Sequence, residues 1–258
     1  MPYDPDLFAG TAAWYRRYRP PYGDEAFAHV IRAFGLDGTG RLLDLGCGPG
    51  ILAVPLSEHV SEVLAMDPDA DMLAEGRLYA AERGRTNITW MQAGSEDLSP
   101  ALGRFRCAVM GQSFHWMDRD AVLRAYEDLL EDGGGFALIN PGVNRPIESW
   151  EPLIEPIIAR YLSPLNPPQR SPERTQAPSL ARSRFIIEPD VEFTLTLARD
   201  AESVIGYYRS TSGAGRRRLG DRADAFDDEI RETLARAYPP RWTETLVTSV
   251  VIGRKPER

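Results

Sequence analysis

The chain has 258 residues, within the range of one large α/β domain, and ordinary apolar and charged fractions for a soluble globular protein. Its net charge of −8 argues against a broad nucleic-acid-binding face, which usually appears as a basic domain. The two cysteines, Cys47 and Cys107, predict neither a disulfide framework nor a metal site. The amino terminus lacks a signal-peptide pattern and no apolar run could span a bilayer, so we expect a cytoplasmic protein with no membrane partner.

Alternating strand and helix patterns fill the first half of the chain. Residues 7–35 predict two helices, which the prolines of "RPPYG" separate. Apolar runs then predict strands at 41–46, 62–67, 87–93, 104–111 and 135–140. Helices are expected from about residue 51, at about 70–83, and in "DRDAVLRAYEDLLEDGG", which Gly133 would end. Short links between these elements require right-handed crossovers and predict a doubly wound, mostly parallel sheet.

The second half changes character. A helix is predicted at about 148–162, and the Pro-, Ser- and Arg-rich segment 164–184 predicts a surface loop or a lid. Further elements are a strand at 191–197, helices at about 201–211 and 221–237, and a strand at 243–253. A late pair of strands after a parallel core indicates an antiparallel edge to the sheet.

The stretch "LLDLGCGPG" (42–50) ends the first predicted strand with glycines at alternate positions. Gly46 permits a tight turn, Gly48 lets a ligand approach the backbone, and Gly50 allows close packing. A dinucleotide loop reads G-x-G-x-x-G, whereas Ile51 stands at the last position here, and no Lys-Ser/Thr follows as in a phosphate loop. Asp44 would repel a pyrophosphate but attract an ammonium group. The loop therefore favours a nucleoside that carries an amino acid.

"LLDLGCGPG" resembles the first motif of class I S-adenosylmethionine-dependent methyltransferases. The resemblance implies a Rossmann-like sheet and S-adenosylmethionine as cofactor. Asp67, which ends the second strand, would then bind the ribose hydroxyls, a role that an acidic residue also has in nicotinamide enzymes. Asp69 already serves as the helix cap. Met72, one turn further on, either covers the adenine or is an ordinary core residue.

The segment "AGSEDL" (93–98) resembles the part of the family that contacts adenine. Family members often have an acidic residue where this chain has Gly94. The usual carboxylate is therefore missing, and Ser95 or Glu96 is expected to replace it.

"GQSFHWM" (111–117) follows the fourth strand, where the methyl group meets its acceptor. It resembles a small-molecule branch that includes the trans-aconitate type, as do "YRRYRPPY" (15–22) and "YYRSTSGAG" (207–215). Gln112 directly follows the strand, so we expect its backbone to contact the methionyl part of the cofactor. His115 is either a general base or a wall of the pocket. Trp116 either stacks near the acceptor or sulfonium or packs in the core.

Three residues near the amino terminus have two interpretations. By analogy with the family, Tyr15 and Tyr18 close over the site and Arg19 pairs with the cofactor carboxylate. Alternatively, they form a packed helix with a solvated arginine. The short basic run 216–218 either begins a solvated helix or recruits an acidic substrate.

The resemblance implies one methyltransferase domain over 1–258, with a seven-stranded sheet. Residues 1–35 would form an amino-terminal helical cap, 36–142 the cofactor-binding core, 143–240 a substrate cap and 241–258 the final strand. The expected reaction is methyl transfer to an O or N atom of a small molecule, or to the carboxylate of a small organic acid. A nicotinamide-dependent oxidoreductase and a non-catalytic partner that binds S-adenosylmethionine are the rivals, and the protein is expected to be a monomer or a homodimer.

Overall fold

A computed structural model describes residues 8, 10–142, 149–162, 176–211 and 219–257. The strands are β1 Arg41–Leu45, β2 Glu62–Asp67, β3 Ile88–Gln92, β4 Phe105–Gly111, β5 Leu130–Pro141, β6 Ile186–Ile187, β7 Val191–Arg199 and β8 Trp242–Arg254. The α-helices are α1 Ala12–Tyr18, α2 Asp24–Phe34, α3 Ala53–Leu56, α4 Ala70–Glu82, α5 Arg119–Leu129, α6 Glu151–Leu162, α7 Ala177–Arg182, α8 Ala201–Arg209 and α9 Ala223–Ala237. A short 3-10 helix, Phe114–Trp116, follows β4.

The described strands form one sheet in the order β3-β2-β1-β4-β5-β8-β6, and β7 also pairs with β8. Strands β1 to β5 run parallel, whereas β8 runs antiparallel to β5. The predicted parallel sheet with an antiparallel edge is confirmed. It has eight strands where seven were predicted, because β8 is long enough to pair with β6 at one end and β7 at the other.

Helices cover both faces of the central strands. Alternate residues of β1 enter the two cores: Leu42 packs with the helix α2 side, and Leu43 and Leu45 pack with the α5 side. All three leucines are almost fully buried. Burial on both faces explains why β1 reads as a continuous apolar run rather than as an alternating one. Its one polar residue, Asp44, is buried with them.

The structure differs from two of the predicted elements. Helix α5 ends at Leu129 rather than at Gly133, because Leu130 already pairs with Phe105 in the sheet. The segment predicted as a loop or lid contains the short helix α7, which an Arg182–Asp120 ion pair of 2.8 Å attaches to α5. Residues 164–175 of that segment lie outside the described residues.

Helices α6, α8 and α9 share a third apolar cluster. Its members include Trp150, Ile154, Val204, Phe226 and Ile230, all of which are almost fully buried. This cluster belongs to the part of the chain predicted as a substrate cap. No described helix has the length and apolar character needed to cross a membrane.

Candidate active site

The glycine loop lies at the carboxyl end of β1, and the end of β2 holds it in place. The amides of Gly46 and Cys47 both donate to the carbonyl of Met66, at 2.8 and 3.0 Å. The carboxyl ends of parallel strands are where open α/β sheets bind ligands. The loop predicted from the sequence therefore lies at the expected edge.

The three glycines of the loop all have positive φ, but their surroundings differ. A Cβ on Gly46 would lie 2.5 Å from Cβ of Ser113, and one on Gly50 would lie 2.6 Å from the Trp90 ring. These two positions are closed by protein packing. Gly48 has nothing within 4 Å of an added Cβ. The space beside Gly48 is therefore open for a ligand.

Asp44 is buried at 1 % exposure in the β1 strand that leads to the loop. Neither carboxylate oxygen has a partner with full hydrogen-bond geometry, although the Ala53 amide lies near enough to act on the pKa. Burial raises the pKa of Asp44 to about 8; the nearby Ala53 amide opposes this and the Asp67 carboxylate adds to it. A buried acceptor without a donor costs free energy. It is an orphaned polar group, and a cationic ligand would satisfy it.

Asp67 ends β2 and faces the same loop. Its carboxylate accepts hydrogen bonds from the amides of Gly48 at 2.8 Å and Asp69 at 2.9 Å. Burial raises the pKa of Asp67 to about 6, although these two bonds lower it. Asp69 caps α4 by accepting from the amides of Asp71 and Met72, as predicted. Because the cap is already supplied, Asp67 keeps lone pairs for a ligand.

Two adjoining cavities open beside Asp44. The inner one is lined by Asp44, Gly46, Cys47, Leu52, Gly111, Tyr15, Tyr22 and Ile51, and it shares the last three with the outer one. The outer cavity has a volume of about 180 Å³, and its other walls are Arg19, Pro20, Gln112, Pro141, Gly142 and Tyr207. The acidic group therefore lies on the inner cavity and the basic group on the outer one.

Arg19 lies between two aromatic rings. Its guanidinium carbon is 4.7 Å from the centre of the Tyr15 ring and 5.3 Å from that of Tyr207. One terminal nitrogen donates to the carbonyl of Ser210 at 3.3 Å, and the buried Nε has no hydrogen-bond partner. Cation–π contacts fix the guanidinium while leaving donors for an anion. With Asp44, this gives the site one group for an ammonium and one for a carboxylate.

Gln112 also lines the outer cavity, in a strained conformation. Its φ of 54° is the one positive value among the described residues other than glycine. Such a conformation costs about 1–2 kcal/mol in a residue with a side chain. The side-chain amide donates to the carbonyl of Pro141 at 3.1 Å. Strained residues cluster at functional sites, so the conformation is consistent with the predicted contact.

Tyr22 and Tyr207 were not among the predicted site residues, yet both line the outer cavity. The Tyr22 hydroxyl occupies the space that a side chain on Gly111 would need. Both tyrosines belong to segments whose resemblance to the family was noted, "YRRYRPPY" and "YYRSTSGAG". That resemblance was the available signal.

Other predicted residues lie away from the two cavities. The Tyr18 ring stacks on Trp14 with centroids 5.4 Å apart and packs against Gly206 of α8. His115 and Trp116 are exposed on the 3-10 helix after β4, with ring centroids 4.9 Å apart. Neither is among the described residues that line the cavities.

The remaining predicted cofactor contacts lie around β2 and β3. Met72 is buried at 3 % exposure, and Ser95 is half-buried. The exposed side chain of Glu96 folds back over Gly94, so its carboxylate lies where a Cβ on residue 94 would be. The basic run 216–218 lies outside the described residues.

Comparison with known proteins identifies the core. The methyltransferase domain family matches residues 42–134, from β1 into β5. This match places a methyltransferase domain within residues 42–134. The chain is 34 % identical over 113 residues to the ubiquinone biosynthesis O-methyltransferase of Acinetobacter baumannii. The matched region is 42 % of this chain and 47 % of that protein. It thus spans about half the length of this relative.

Other similarities agree with this methyltransferase domain. A 2-heptyl-1-hydroxyquinolin-4(1H)-one methyltransferase of Mycobacteroides abscessus is 31 % identical over 137 residues, 47 % of this chain and 58 % of that protein. A Geobacter sulfurreducens methyltransferase solved with S-adenosyl-L-homocysteine has a TM-score of 0.53 at 17 % identity, over 97 % of this chain and 99 % of that one. An Anaeromyxobacter dehalogenans protein described as a type II methyltransferase has a TM-score of 0.61 at 21 % identity, over 93 % of this chain and 100 % of that one. These structural similarities show the fold.

S-adenosylmethionine is the cofactor of this class of domain, and the residues present fit it. The unpaired carboxylate of Asp44 suits the ammonium group, the open side of Gly48 suits close approach of a ligand, and Asp67 can accept from hydroxyls. Arg19 supplies donors for the carboxylate. The assignment of each contact to a residue stays a prediction.

Proposed function

We propose that this protein transfers the methyl group of S-adenosylmethionine to an oxygen or nitrogen atom of a small-molecule acceptor. The observation that carries the proposal is the buried carboxylate of Asp44, which has no hydrogen-bond donor and lines a cavity at the end of β1. A carboxylate is retained in such a place at a free-energy cost, which a bound cation would offset.

Different residues of the chain bind different groups of the cofactor. Asp44 accepts from the ammonium group on the inner cavity, and Arg19, on the adjoining outer cavity, donates to the carboxylate attached to the same carbon. Asp67 accepts from the ribose hydroxyls. Glu96 supplies the carboxylate that the family usually has at position 94, where this chain has glycine.

The cofactor supplies a methyl group already activated by its positively charged sulfur. The protein must therefore hold the acceptor in line with the bond that breaks and keep water out. Aromatic walls from Tyr15, Tyr22 and Tyr207 suit this task, because they exclude water and pack against flat acceptors. Positioning of this kind can supply about 7–11 kcal/mol of the barrier.

An oxygen atom is the acceptor that the relatives' names support, since one is an O-methyltransferase and the other acts on a hydroxyquinolinone. A hydroxyl acceptor has to lose a proton, which His115 would take. A carboxylate acceptor of the trans-aconitate kind needs no base. His115 is exposed and lines neither cavity, which favours the carboxylate acceptor, because that acceptor needs no base.

The two rivals predict different ligands or products. A nicotinamide enzyme would bind NADH, which Asp44 opposes because a pyrophosphate is negatively charged. A non-catalytic partner would bind S-adenosylmethionine and transfer no methyl group. Competition between S-adenosylhomocysteine and NADH separates the first rival from the proposal.

The deciding experiment is incubation of the purified protein with methyl-labelled S-adenosylmethionine and a small-molecule extract, followed by mild base. Label released as methanol identifies a methyl ester and hence a carboxylate acceptor. Label that survives base identifies an ether, amine or carbon acceptor. The Asp44→Asn variant, assayed at a cofactor concentration too low for it to bind, is the control for contaminating enzymes. S-adenosylhomocysteine binding without any transfer across varied extracts would favour the non-catalytic rival.

A further inference from the structure

Strand β7 is an edge of the described sheet. It pairs with β8 along all nine residues in a continuous register, and no described strand pairs with its other side. Strands are usually about 5–6 residues long, so this edge presents an unusually long row of backbone donors and acceptors. Monomeric proteins commonly protect such edges with lysine, proline or a bulge. The sequence "VEFTLTLAR" has no lysine, proline or bulge, and its two charged residues, Glu192 and Arg199, lie near the ends of the strand.

The sequence of β7 is complementary to itself in the antiparallel direction. With Leu195 at the centre, Leu195 faces its own copy, and Thr194 faces Thr196. Phe193 then faces Leu197, so apolar residues meet apolar ones and threonines meet threonines. Cross-strand pairs of these kinds stabilise antiparallel sheets.

The outer pairs in this register also avoid charge repulsion. Glu192 would face Ala198, and Val191 would face Arg199, so no like charges oppose each other. A register centred on Thr194 instead would leave Ala198 and Arg199 unpaired. The register centred on Leu195 therefore uses the whole strand.

We propose that two copies of this chain associate by antiparallel pairing of their β7 strands across a twofold axis at Leu195. The pairing would add about 8–10 backbone hydrogen bonds and join the two sheets into one. One face of the joined strands would carry the exposed Thr194 and Thr196. The other would carry Phe193 and Leu195, which already pack beside His29 and Gly23 at the α2 end.

The test is the mass of the full chain in solution, measured by light scattering across a dilution series. Two double variants form a matched pair at exposed positions. Thr194→Lys with Thr196→Lys places lysine opposite the partner's lysine, whereas Thr194→Lys with Thr196→Glu places lysine opposite glutamate. We expect the wild type and the Lys/Glu variant to be dimers, and the Lys/Lys variant to dissociate at concentrations at least tenfold higher than the wild type.

A cysteine scan checks the register, because Cys47 and Cys107 are buried. Leu195→Cys should form an intermolecular disulfide under mild oxidation, since the two copies of residue 195 would face each other. Thr194→Cys should not, because it faces residue 196. A monomeric wild type, an undisturbed Lys/Lys dimer, or cross-linking through Thr194→Cys alone would each overturn the proposal. Pairing with a different protein would appear as a monomer in the purified sample.

Discussion

Replacing Asp44 by asparagine should strengthen the fold and weaken cofactor binding at the same time. Asp44 is 1 % exposed, and neither carboxylate oxygen has a hydrogen-bond partner. The folded protein therefore resists ionisation of this group, whereas the unfolded chain ionises it readily. Asparagine has nearly the same shape and no charge, so it removes this conflict.

The size of the effect follows from the pKa of Asp44, which burial raises from 3.8 to about 8. Below pH 4 the group is protonated in both states, and ionisation affects neither. As the pH rises from 4 to 8, the unfolded chain loses the proton first, so the wild type loses stability over this interval. At pH 7 the loss is about 4 kcal/mol, since each pKa unit corresponds to about 1.4 kcal/mol.

The Asp44→Asn variant should not lose stability over this pH interval. Its melting temperature should exceed that of the wild type by about 8–16 °C at pH 7, since about 4 kcal/mol shifts a chain of this size by roughly 2–4 °C per kcal/mol, and the difference should vanish near pH 4. Asp71→Asn is the matched control, because it makes the same change at an exposed position on α4. Its melting temperature should not follow that pH dependence.

Binding should change in the opposite direction. The ammonium group of S-adenosylhomocysteine requires Asp44 to be ionised, so binding at pH 7 should release a proton and strengthen as the pH rises toward 8. The asparagine variant should bind about 10- to 100-fold more weakly at pH 8 and release no such proton, because a charge-assisted hydrogen bond is lost. Calorimetry in buffers of different ionisation enthalpy measures both quantities. A variant that binds as tightly as the wild type, or that melts at a lower temperature, would refute this reasoning.

Three further changes test other parts of the site. Gly76→Ala should destabilise the protein by about 1–3 kcal/mol, because the new methyl group meets the Trp90 ring. In a Trp90→Leu background the same change should be neutral or stabilising. Chemical denaturation measures the free energy of unfolding in both cases. Asp67→Asn should weaken S-adenosylhomocysteine binding about 10-fold or more but leave an analogue without ribose hydroxyls unaffected, and equal losses for both ligands would assign Asp67 a purely structural role. Wild-type binding should also weaken below pH 6, as Asp67 takes up a proton. His115→Ala should sharply reduce turnover of a hydroxyl acceptor and barely change that of a carboxylate, and near-wild-type turnover of the hydroxyl acceptor would exclude His115 as the base.

Local sequence was sufficient for the core of the fold and for the cofactor loop. The strands β1 to β5 follow from apolar runs separated by turn and helix signals, and the short links force them into parallel order. The cap by Asp69 was also readable, because a helix cap depends on residues within three positions. Such features depend on neighbours along the chain.

The walls of the cavities could not be read in the same way. Arg19 and Tyr207 stand far apart in the sequence, yet the guanidinium lies against the ring. Tyr18, one residue before Arg19, turns instead to Gly206 and leaves the cavity wall. Tyr18 is the last residue of α1, whereas Arg19 follows it with an extended backbone, so the two side chains face different directions. The packing of α1 on α8 decides which of them lines the cavity.

The sequence by itself determined the type of sheet, the glycine loop and the acidic residues at the ends of the first two strands. The tertiary structure decided that Asp44 has no hydrogen-bond partner, that Tyr22 and Tyr207 share a cavity with Arg19, and that β7 is an edge. The physical reason is how far apart in the sequence the interacting residues lie. Strands, turns and caps depend on residues close in the chain, whereas burial, a raised pKa and a shared cavity depend on contacts between residues that the fold alone brings together.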